Sequence, residues 1–428
     1  MRKPLPQIEQ LTIEKIVHGG QALGHALNRP IFVWNALPGE IVDVQVTRKN
    51  SKICEGVATH IVKPSPLRIE PQEEHWLSCS PWQIISRETE KEWKMSLARE
   101  AYIHAGIDVS QMGFVESPSE FGYRNKIEWS FAANEDGLPS LAFFSRGTHV
   151  RQALDMCVLA SPMVTKISQR ILEWIREQTI PLRSLKSLIV RSADNGTAIA
   201  GLFLKDQLTF PTYPQCNKEL LGFHVYYSSH KSPASVVHGV LHSDGVETLS
   251  QRVLDTELIH GLNGFFQVNI PVFEQAVKKI DEYIPQDRPL LDFYGGVGSI
   301  GIPLARMHQQ QLTIVESNAE STTCAQKNIE RYQLRAQVCS AEAEKAVEYI
   351  SSDATLIVDP PRAGLHQDVI DRIGVVQPEV IAYISCNVST HARDIQLLSK
   401  WYKVTFLSLF NFFPRTPHVE ALCILKKK

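Results

Sequence analysis

The sequence lacks the features that mark several large classes of protein. None of its eight cysteines forms a C-x-x-C pair, and their spacing is irregular. This argues against a disulfide framework and fits reduced thiols in the cytosol. No apolar run approaches the ~18 residues of a membrane-spanning helix, and the start, MRKPLPQIEQ, has no apolar stretch like that of a signal peptide. We therefore expect a cytoplasmic protein that has no membrane span.

The chain also has no marked excess of charge of one sign. Its 428 residues include 44 Lys and Arg against 46 Asp and Glu, which gives a net charge of −2. This balance does not argue against a nucleic-acid partner, because local patches decide such binding. With 43% apolar and 21% charged residues, the composition is that of a globular protein with two or three domains.

The first part of the chain combines a barrel pattern with a mildly basic balance. Residues 8–63 alternate apolar and polar positions between turn signals, which predicts short strands in a small barrel. Residues 1–70 contain nine Lys or Arg against six Asp or Glu, and a small barrel with a basic face often binds single-stranded nucleic acid. A purely structural barrel with solvated charges fits the same pattern. Residues 64–74 are rich in proline and charge and read as a linker.

The middle of the chain favours strands. Residues 88–107 have the four-residue apolar spacing of an amphipathic helix, and residues 161–178 read as a second helix among strand candidates. Arg124 and Lys126 alternate on one of these strand candidates, from which they would reach RNA phosphates. Taken one at a time, the two side chains also fit an ordinary solvated surface.

From about residue 265 the pattern changes to strands that alternate with helices. This alternation predicts a doubly wound α/β domain, in which ligands bind beyond the carboxyl ends of the strands. The last two apolar runs, at 403–413 and 420–427, are candidates for a terminal antiparallel pair. We expect helix 88–107 to pack on this domain. The predicted fold is α/β with three domains: a small β-barrel (1–66), a strand-rich α+β domain (67–262) and a Rossmann-like domain (263–428).

A glycine-rich turn follows the first predicted strand of the α/β region. Gly296, Gly298 and Gly301 match G-x-G-x-x-G, which lets the backbone approach a ligand at a helix N-terminus. Glu316 ends the next strand, where a carboxylate accepts hydrogen bonds from ribose hydroxyls. This fingerprint fits both a dinucleotide and S-adenosylmethionine. The position of the domain at the end of the chain, and the sequence DPP (359–361) after a later strand, favour the methyl donor.

Cys386 and Glu420 have the chemistry needed to methylate an unreactive carbon. Cys386 lies in YISCN at a strand end, and Glu420 lies downstream in TPHVEAL. Carbon C5 of uracil accepts a methyl group once a thiolate has added to C6, and a base must then remove the C5 proton. We predict Cys386 as the nucleophile and Glu420 as the base. Asp359, near the same crevice, would accept from the ring nitrogen or orient the donor. A buried apolar cysteine and a solvent-facing glutamate are the alternatives.

At these motifs the chain resembles the class I RNA (uracil-5-)-methyltransferases, which modify ribosomal and transfer RNA. GFFQVN (264–269), DPPRAG (359–364), SCNVSTHARD (385–394) and FPRTPHVEALCIL (413–425) match the motifs of that family in order. The resemblance implies that the barrel is a TRAM domain, an RNA-binding barrel of the OB type. It further implies that Phe265 stacks on RNA bases and that four residues contact S-adenosylmethionine: Gln267, Tyr294, Glu316 and Asp359.

Many members of this family hold an iron–sulfur cluster with four cysteines, located just after the barrel and in the central domain. Here the corresponding segment, EEHWLSCSPWQ (73–83), has Cys79 alone, and Trp82 stands at the closing position. Cys157 matches the distant fourth cysteine. Two thiols do not supply the four ligands of such a cluster. We therefore predict no iron–sulfur cluster and no metal.

The combined prediction is a monomeric enzyme that makes 5-methyluridine in structured RNA, with 23S ribosomal RNA favoured over transfer RNA. Two alternatives stay open. An amino-methyltransferase that acts on an exocyclic nitrogen also ends a strand in D/N-P-P, but it needs no thiol and usually has an aromatic residue where Arg362 stands. A non-catalytic RNA-binding protein would have no use for Cys386 or Glu420.

Overall fold

Five strands at the start of the chain close into a barrel. The computed structural model describes residues 5–26, 28–50, 53–233 and 235–428. The barrel order is β1-β2-β3-β5-β4, and Ile13, Val33 and Val44 are among the side chains that fill its interior. The barrel that the alternating pattern predicted is therefore confirmed. Its strands are β1 (Gln7–Ile16), β2 (Ala22–Ala26), β3 (Arg29–Trp34), β4 (Ile41–Lys49) and β5 (Cys54–Lys63).

Two helices and a short strand connect the barrel to the central sheet. They are α1 (Trp76–Cys79), α2 (Arg87–His104) and β6 (Gly113–Val115). Helix α2 begins after Ser86, whose Oγ accepts a hydrogen bond from the Thr89 amide and caps the helix. Ala98 and Tyr102 on its buried face belong to the core of the C-terminal α/β domain, and the Tyr102 hydroxyl lies 2.7 Å from His391 Nδ1. Helix α2 thus packs on that domain.

The central region is a seven-stranded sheet with one long helix on its face. Its strand order is β13-β12-β11-β10-β7-β8-β9, and a hairpin of β14 and β15 follows. The predicted helix at 161–178 is present as Pro162–Glu177, and it begins after the capping residue Ser161. The elements are β7 (Lys126–Ala133), β8 (Pro139–Phe144), β9 (Arg151–Leu154), α3 (Pro162–Glu177), β10 (Leu185–Ser192), β11 (Ala198–Leu204), β12 (Leu220–Tyr227), β13 (Gly239–Gly245), β14 (Thr248–Val253) and β15 (Thr256–Gly261).

The last part of the chain is a doubly wound domain around an eight-stranded sheet of order β18-β17-β16-β19-β20-β22-β21-β6. The first five strands in this order are parallel, whereas β22 is antiparallel to β20 and to β21. Its elements are α4 (Ile270–Asp281), β16 (Leu290–Phe293), α5 (Gly301–His308), β17 (Leu312–Glu316), α6 (Ala319–Arg331), β18 (Ala336–Ser340), β19 (Thr355–Val358), α7 (Gln367–Val376), β20 (Val380–Ser385), α8 (Val388–Leu398), β21 (Tyr402–Phe410) and β22 (Glu420–Lys427).

This topology fixes where a ligand binds. The chain order reverses between β16 and β19, and loops that leave the carboxyl ends of these two strands diverge to opposite sides, which opens a crevice between them. Strand β6, from residues far upstream, extends the same sheet beside β21. All eight cysteines are free thiols. Among the described residues, no helix combines the length and the apolar character needed to cross a membrane.

Candidate active site

The carboxyl ends of β16, β17, β19 and β20 face one cavity of about 720 Å³. This volume lies in the range of small-molecule sites, roughly 300–1,000 Å³. Its walls bring together motifs that are up to almost 300 positions apart in the chain. Nine of the predicted site residues line it: Arg124, Phe265, Gln267, Tyr294, Gly296, Glu316, Asp359, Cys386 and Glu420.

Two of the predicted site residues are not part of this lining. Gly298 has φ +83°, and a Cβ added there would lie 2.4 Å from Ile302 Cδ1 and 2.9 Å from Ile314 Cδ1. The glycine is needed because α5 packs closely on the sheet, and its contact with the cofactor stays a prediction. Lys126 lines a neighbouring cavity together with Arg124, and burial lowers its pKa to about 8.

The turn after β16 shapes the end of the cavity that lies over the sheet. Gly296 has φ +58°, and a Cβ added there would meet no atom within 4 Å, because that side of the backbone is open. Its amide donates a hydrogen bond to Glu316 Oε2 (3.0 Å), and Glu316 Oε1 accepts another from the Asn318 amide (2.7 Å). These two bonds hold the carboxylate at the end of β17. Tyr294 also has positive φ, +61°, and burial raises its pKa to about 12.

Asp292 supports this turn from below, although the sequence analysis did not single it out. It is fully buried, and its Oδ2 accepts a hydrogen bond from the Gly301 amide (2.9 Å) at the start of α5. Burial raises its pKa to about 7; the Gly301 bond opposes this shift, and the charge of Glu316 adds to it. The signal available in the sequence was its place directly before the glycine turn.

Cys386 lies in the tight turn between β20 and α8 and is half-buried. Asn387 caps α8, because its side chain accepts a hydrogen bond from the Ser389 amide (3.1 Å). The same Asn387 side chain donates to the Arg362 carbonyl (2.9 Å). The turn that carries the thiol is therefore tied to the DPPRAG loop after β19.

A second contact fixes the DPPRAG loop. Asp394 Oδ2 accepts hydrogen bonds from the Leu365 amide (2.8 Å) and from the Tyr383 hydroxyl (2.7 Å). Gly364, which has φ +82°, passes so close that an added Cβ would lie 2.5 Å from the same carboxylate oxygen. Residues of the HARD motif (391–394) thus hold the loop that places Asp359 and Arg362 beside the thiol.

Three of the acidic groups that line this cavity, Cys386, Glu420 and Asp359, have raised pKa values. Burial raises the pKa of the Cys386 thiol to about 11, with further contributions from the charges of Glu420 and Asp359. Burial, together with Asp359, raises the pKa of Glu420 well above its usual range, and burial with Asp292 raises that of Asp359 to about 7. Arg362 opposes the shifts of the thiol and of Glu420. Because positive charge would favour the ionised form of all three groups, the cavity suits a cationic ligand.

A buried charge network anchors the loop that joins β21 to β22. Lys94 Nζ, on α2, donates hydrogen bonds to Glu90 Oε1 (2.7 Å), Asn411 Oδ1 (2.7 Å) and the Phe413 carbonyl (3.1 Å). Glu90 Oε2 accepts from the Arg415 amide (2.9 Å). Helix α2 therefore holds the segment that leads into Glu420, at the start of β22.

We expect Lys94→Met to lower the free energy of unfolding by about 3 kcal/mol, because it removes the cation from a buried ion pair. Lys91→Met, on the half-exposed side of the same helix, is the matched control and should cost less than about 1 kcal/mol. Urea denaturation followed by circular dichroism measures both. Equal stability of the two variants would show that the network does not anchor the loop.

Two further side chains of this loop line the cavity, and the sequence analysis passed over both as site residues. They are Phe413 and His418. Burial lowers the pKa of His418 to about 4, with the charge of Arg362 adding to the effect, so the imidazole is neutral at physiological pH. The nearness of His418 to Glu420 in the sequence was the signal that pointed to it.

Comparison with known proteins shows which family the chain resembles. Models of three known families match successive parts of the chain: the TRAM domain at 7–59, the methyltransferase small domain at 275–377 and tRNA (uracil-5-)-methyltransferase at 347–428. The crystal structure of Pyrococcus abyssi tRNA (uracil-54, C5)-methyltransferase in complex with S-adenosyl-L-homocysteine is 25% identical, with a TM-score of 0.77. The match covers 98% of this chain and 100% of the other. Over nearly its whole length, the chain is similar to RNA (uracil-5-)-methyltransferases.

Relatives of this methyltransferase match over nearly their whole length. The tRNA (uracil(54)-C(5))-methyltransferase of Pyrococcus horikoshii is 29% identical over 408 residues, which cover 92% of this chain and 95% of the relative. An uncharacterized RNA methyltransferase of Lactococcus lactis is 27% identical over 476 residues, with 98% and 91% covered. The predicted fold class, family and use of S-adenosylmethionine are confirmed.

The cavity of the methyltransferase fits its cofactor. The open backbone at Gly296 leaves room for a ligand to approach the turn, and the fixed carboxylate of Glu316 lies beside it with lone pairs free for ribose hydroxyls. The acidic groups around Cys386 suit a positively charged sulfonium. The residues that line the cavity therefore offer groups suited to the ribose hydroxyls and to the sulfonium of S-adenosylmethionine.

Proposed function

We propose that this enzyme makes 5-methyluridine in structured RNA by covalent catalysis, with Cys386 as nucleophile and Glu420 as base. The observation that supports this most directly is that both side chains line the cavity that also contains Gly296 and Glu316. Cys423, by contrast, is fully buried in strand β22. Position relative to the crevice therefore distinguishes the proposed nucleophile from a thiol of the core.

In this mechanism, the Cys386 thiol gives up its proton to solvent, and the thiolate sulfur forms a bond to C6 of the uracil. The C5=C6 double bond breaks, and its electron pair makes C5 enolate-like and nucleophilic. S-adenosylmethionine, when bound, supplies the activated methyl group that C5 takes. Glu420 then removes the C5 proton, the bond between sulfur and C6 breaks, and the double bond of the ring re-forms. The target base must leave its stack in the RNA to reach these residues.

We assign the remaining site residues by their position around the cavity. Gln267, Tyr294, Gly296, Glu316 and Asp359 hold S-adenosylmethionine. In this proposal the target base enters the pocket, and the rest of the RNA contacts residues at its mouth and on the barrel. Phe265 is 67% exposed and is free to stack on a base. Arg124 and Lys126 offer cations to phosphates. The enzyme acts as a monomer in this proposal.

The raised pKa of Cys386 predicts a pH-dependent reactivity. Below the pKa, the thiolate fraction rises about tenfold for each pH unit. Alkylation of Cys386 by iodoacetamide in the cofactor-free enzyme should therefore accelerate steadily from about pH 7 to about pH 10, because the thiol has a pKa of about 11. Peptide mass spectrometry measures the rate at this one residue. An unstructured cysteine peptide, whose thiol has the ordinary pKa of ~8.5, is the control and should level off only above about pH 9.5. A plateau of Cys386 in that same range would contradict the effect of burial.

Mapping 5-methyluridine in cells that lack the protein tests the proposal and separates the two candidate RNAs. The sequence favoured 23S ribosomal RNA, whereas the P. horikoshii relative is named for uridine 54 of transfer RNA. Each RNA is purified, digested and analysed by mass spectrometry, with the wild-type gene restored as control. Loss of 5-methyluridine from ribosomal RNA would identify ribosomal RNA as the substrate. Loss of 5-methyluridine from transfer RNA would identify transfer RNA instead. Unchanged 5-methyluridine in both would overturn the proposal.

A further inference from the structure

Four side chains with metal-binding atoms converge where the linker after the barrel meets the central sheet. They are Glu73, His75, Cys79 and Cys157, and their ligand atoms all lie within 4.8 Å of one another. Cys79 ends α1, whereas Cys157 follows β9, so only the fold brings them together. His75 is 6% exposed and Cys157 is 3% exposed. The sequence analysis considered only the two thiols here and missed the carboxylate and the imidazole.

We propose that these four residues form a mononuclear site for one zinc ion. Zinc prefers four ligands in a tetrahedron, with bonds of about 2.3 Å to cysteine sulfur, 2.0–2.1 Å to histidine nitrogen and 2.0–2.2 Å to carboxylate oxygen. Such a tetrahedron separates its ligand atoms by roughly 3.3–3.8 Å, so small side-chain movements would close the cluster around an ion. A cluster of four irons needs four thiolates, and this donor set does not fit one.

The histidine of the cluster supplies an independent reason to expect a ligand. His75 Nε2 is buried and lies 3.1 Å from Glu73 Oε2, close enough for an ion pair but without the geometry of a hydrogen bond. A buried polar atom whose hydrogen-bonding capacity is not fully met destabilises the folded protein. A bond from this nitrogen to a metal ion would remove this destabilisation. The atom faces the carboxylate and the two thiols, which are the other three donors.

The carboxylate is held as a metal ligand usually is. Glu73 Oε1 accepts a hydrogen bond from Gln83 Nε2 (3.0 Å), and Glu73 Oε2 accepts one from the Val158 amide (2.8 Å). Outer contacts of this kind fix the orientation of a ligating group. Cys79 Sγ lies 3.0 Å from Glu73 Oε1. The donors are therefore oriented toward one another by the protein before any ion binds.

The proposed zinc site is connected to the catalytic cavity through the segment that follows Cys157. Leu159, two residues after Cys157, accepts a hydrogen bond from the Arg124 amide (2.8 Å), and the Ser161 amide donates to the Arg124 carbonyl (2.9 Å). Arg124 lines the catalytic cavity. A zinc ion would cross-link the linker that carries Glu73 to the segment that positions this arginine.

Metal analysis of the full-length protein tests the site directly. Protein purified with zinc in the growth medium and passed through gel filtration should contain about one zinc ion per chain, measured by mass spectrometry of the elements. Cys79→Ser and Cys157→Ser should each retain less than about a tenth of that amount. Cys216→Ser, which changes a thiol of the same central domain outside the cluster, is the matched control and should retain all of it.

Cobalt substitution gives a readout that does not depend on activity. The wild-type protein loaded with cobalt should show charge-transfer absorption from cobalt–thiolate bonds, and each cysteine variant should lose intensity while the control keeps it. Should the cysteine variants unfold, Glu73→Gln and His75→Gln replace them, with an expected loss in zinc affinity of about tenfold or more. Wild-type protein without zinc, zinc retained equally by all variants, or iron with acid-labile sulfide in place of zinc would each overturn the proposal.

Discussion

Cys386→Ala should abolish methyl transfer while S-adenosylmethionine still binds. Without the sulfur, C5 of the uracil is not activated, and we expect the turnover rate to fall by roughly a thousandfold or more. The cofactor contacts lie on other residues, so the dissociation constant of S-adenosylmethionine should change by less than about twofold. Transfer of a tritiated methyl group to RNA measures the first quantity, and isothermal titration calorimetry measures the second.

Cys339→Ala is the matched control for this experiment. Cys339 is a half-buried thiol on β18 of the same domain, and it is not among the residues that line the cavity. Its variant should retain activity within about twofold. RNA that carries 5-fluorouridine should form a stable adduct with wild-type enzyme and none with Cys386→Ala. Methyl transfer by Cys386→Ala at the wild-type rate would reject the covalent route. It would favour the alternative of an amino-methyltransferase, which needs no thiol.

Glu420→Gln should stall the reaction after the methyl group has been transferred. The amide keeps the shape of the side chain but cannot accept the C5 proton, so the bond between Cys386 and C6 persists. Turnover should fall by roughly a hundredfold to ten-thousandfold, and a complex of protein and RNA should appear on denaturing gels. The complex should contain the tritiated methyl group.

The double variant Cys386→Ala/Glu420→Gln separates this outcome from simple tight binding. It has no sulfur to form the bond, so no complex should survive denaturation. A complex of Glu420→Gln without the labelled methyl group would place the block before methyl transfer and contradict the assigned role. Burial raises the pKa of Glu420 well above its usual range, so its ionised form is a stronger base than an exposed carboxylate. This property suits removal of a proton from carbon.

The sequence by itself determined the local structure and the type of chemistry. The alternation in residues 8–63 reflects the inward and outward faces of short strands, and it predicted the barrel. The pattern in residues 161–178 predicted α3, and the structure begins this helix at Pro162 after the capping residue Ser161, since a capping side chain and a fixed φ act within one turn. YISCN and the glycine turn predicted a thiol and a ligand loop at strand ends, because motif and strand end are adjacent in the chain.

The tertiary structure alone decided which distant side chains meet. Arg124 and Glu420 line the same cavity, although they are far apart in the chain. Lys94 donates a hydrogen bond to Asn411, and Cys157 lies close to Glu73. These contacts form only because the sheets and the linker pack together in one particular arrangement. Contacts of this kind depend on topology and on the burial of whole elements, which leave no periodic trace in the chain. Burial also sets the pKa of Cys386 and Glu420, since the cost of removing a charge from water depends on everything packed around it.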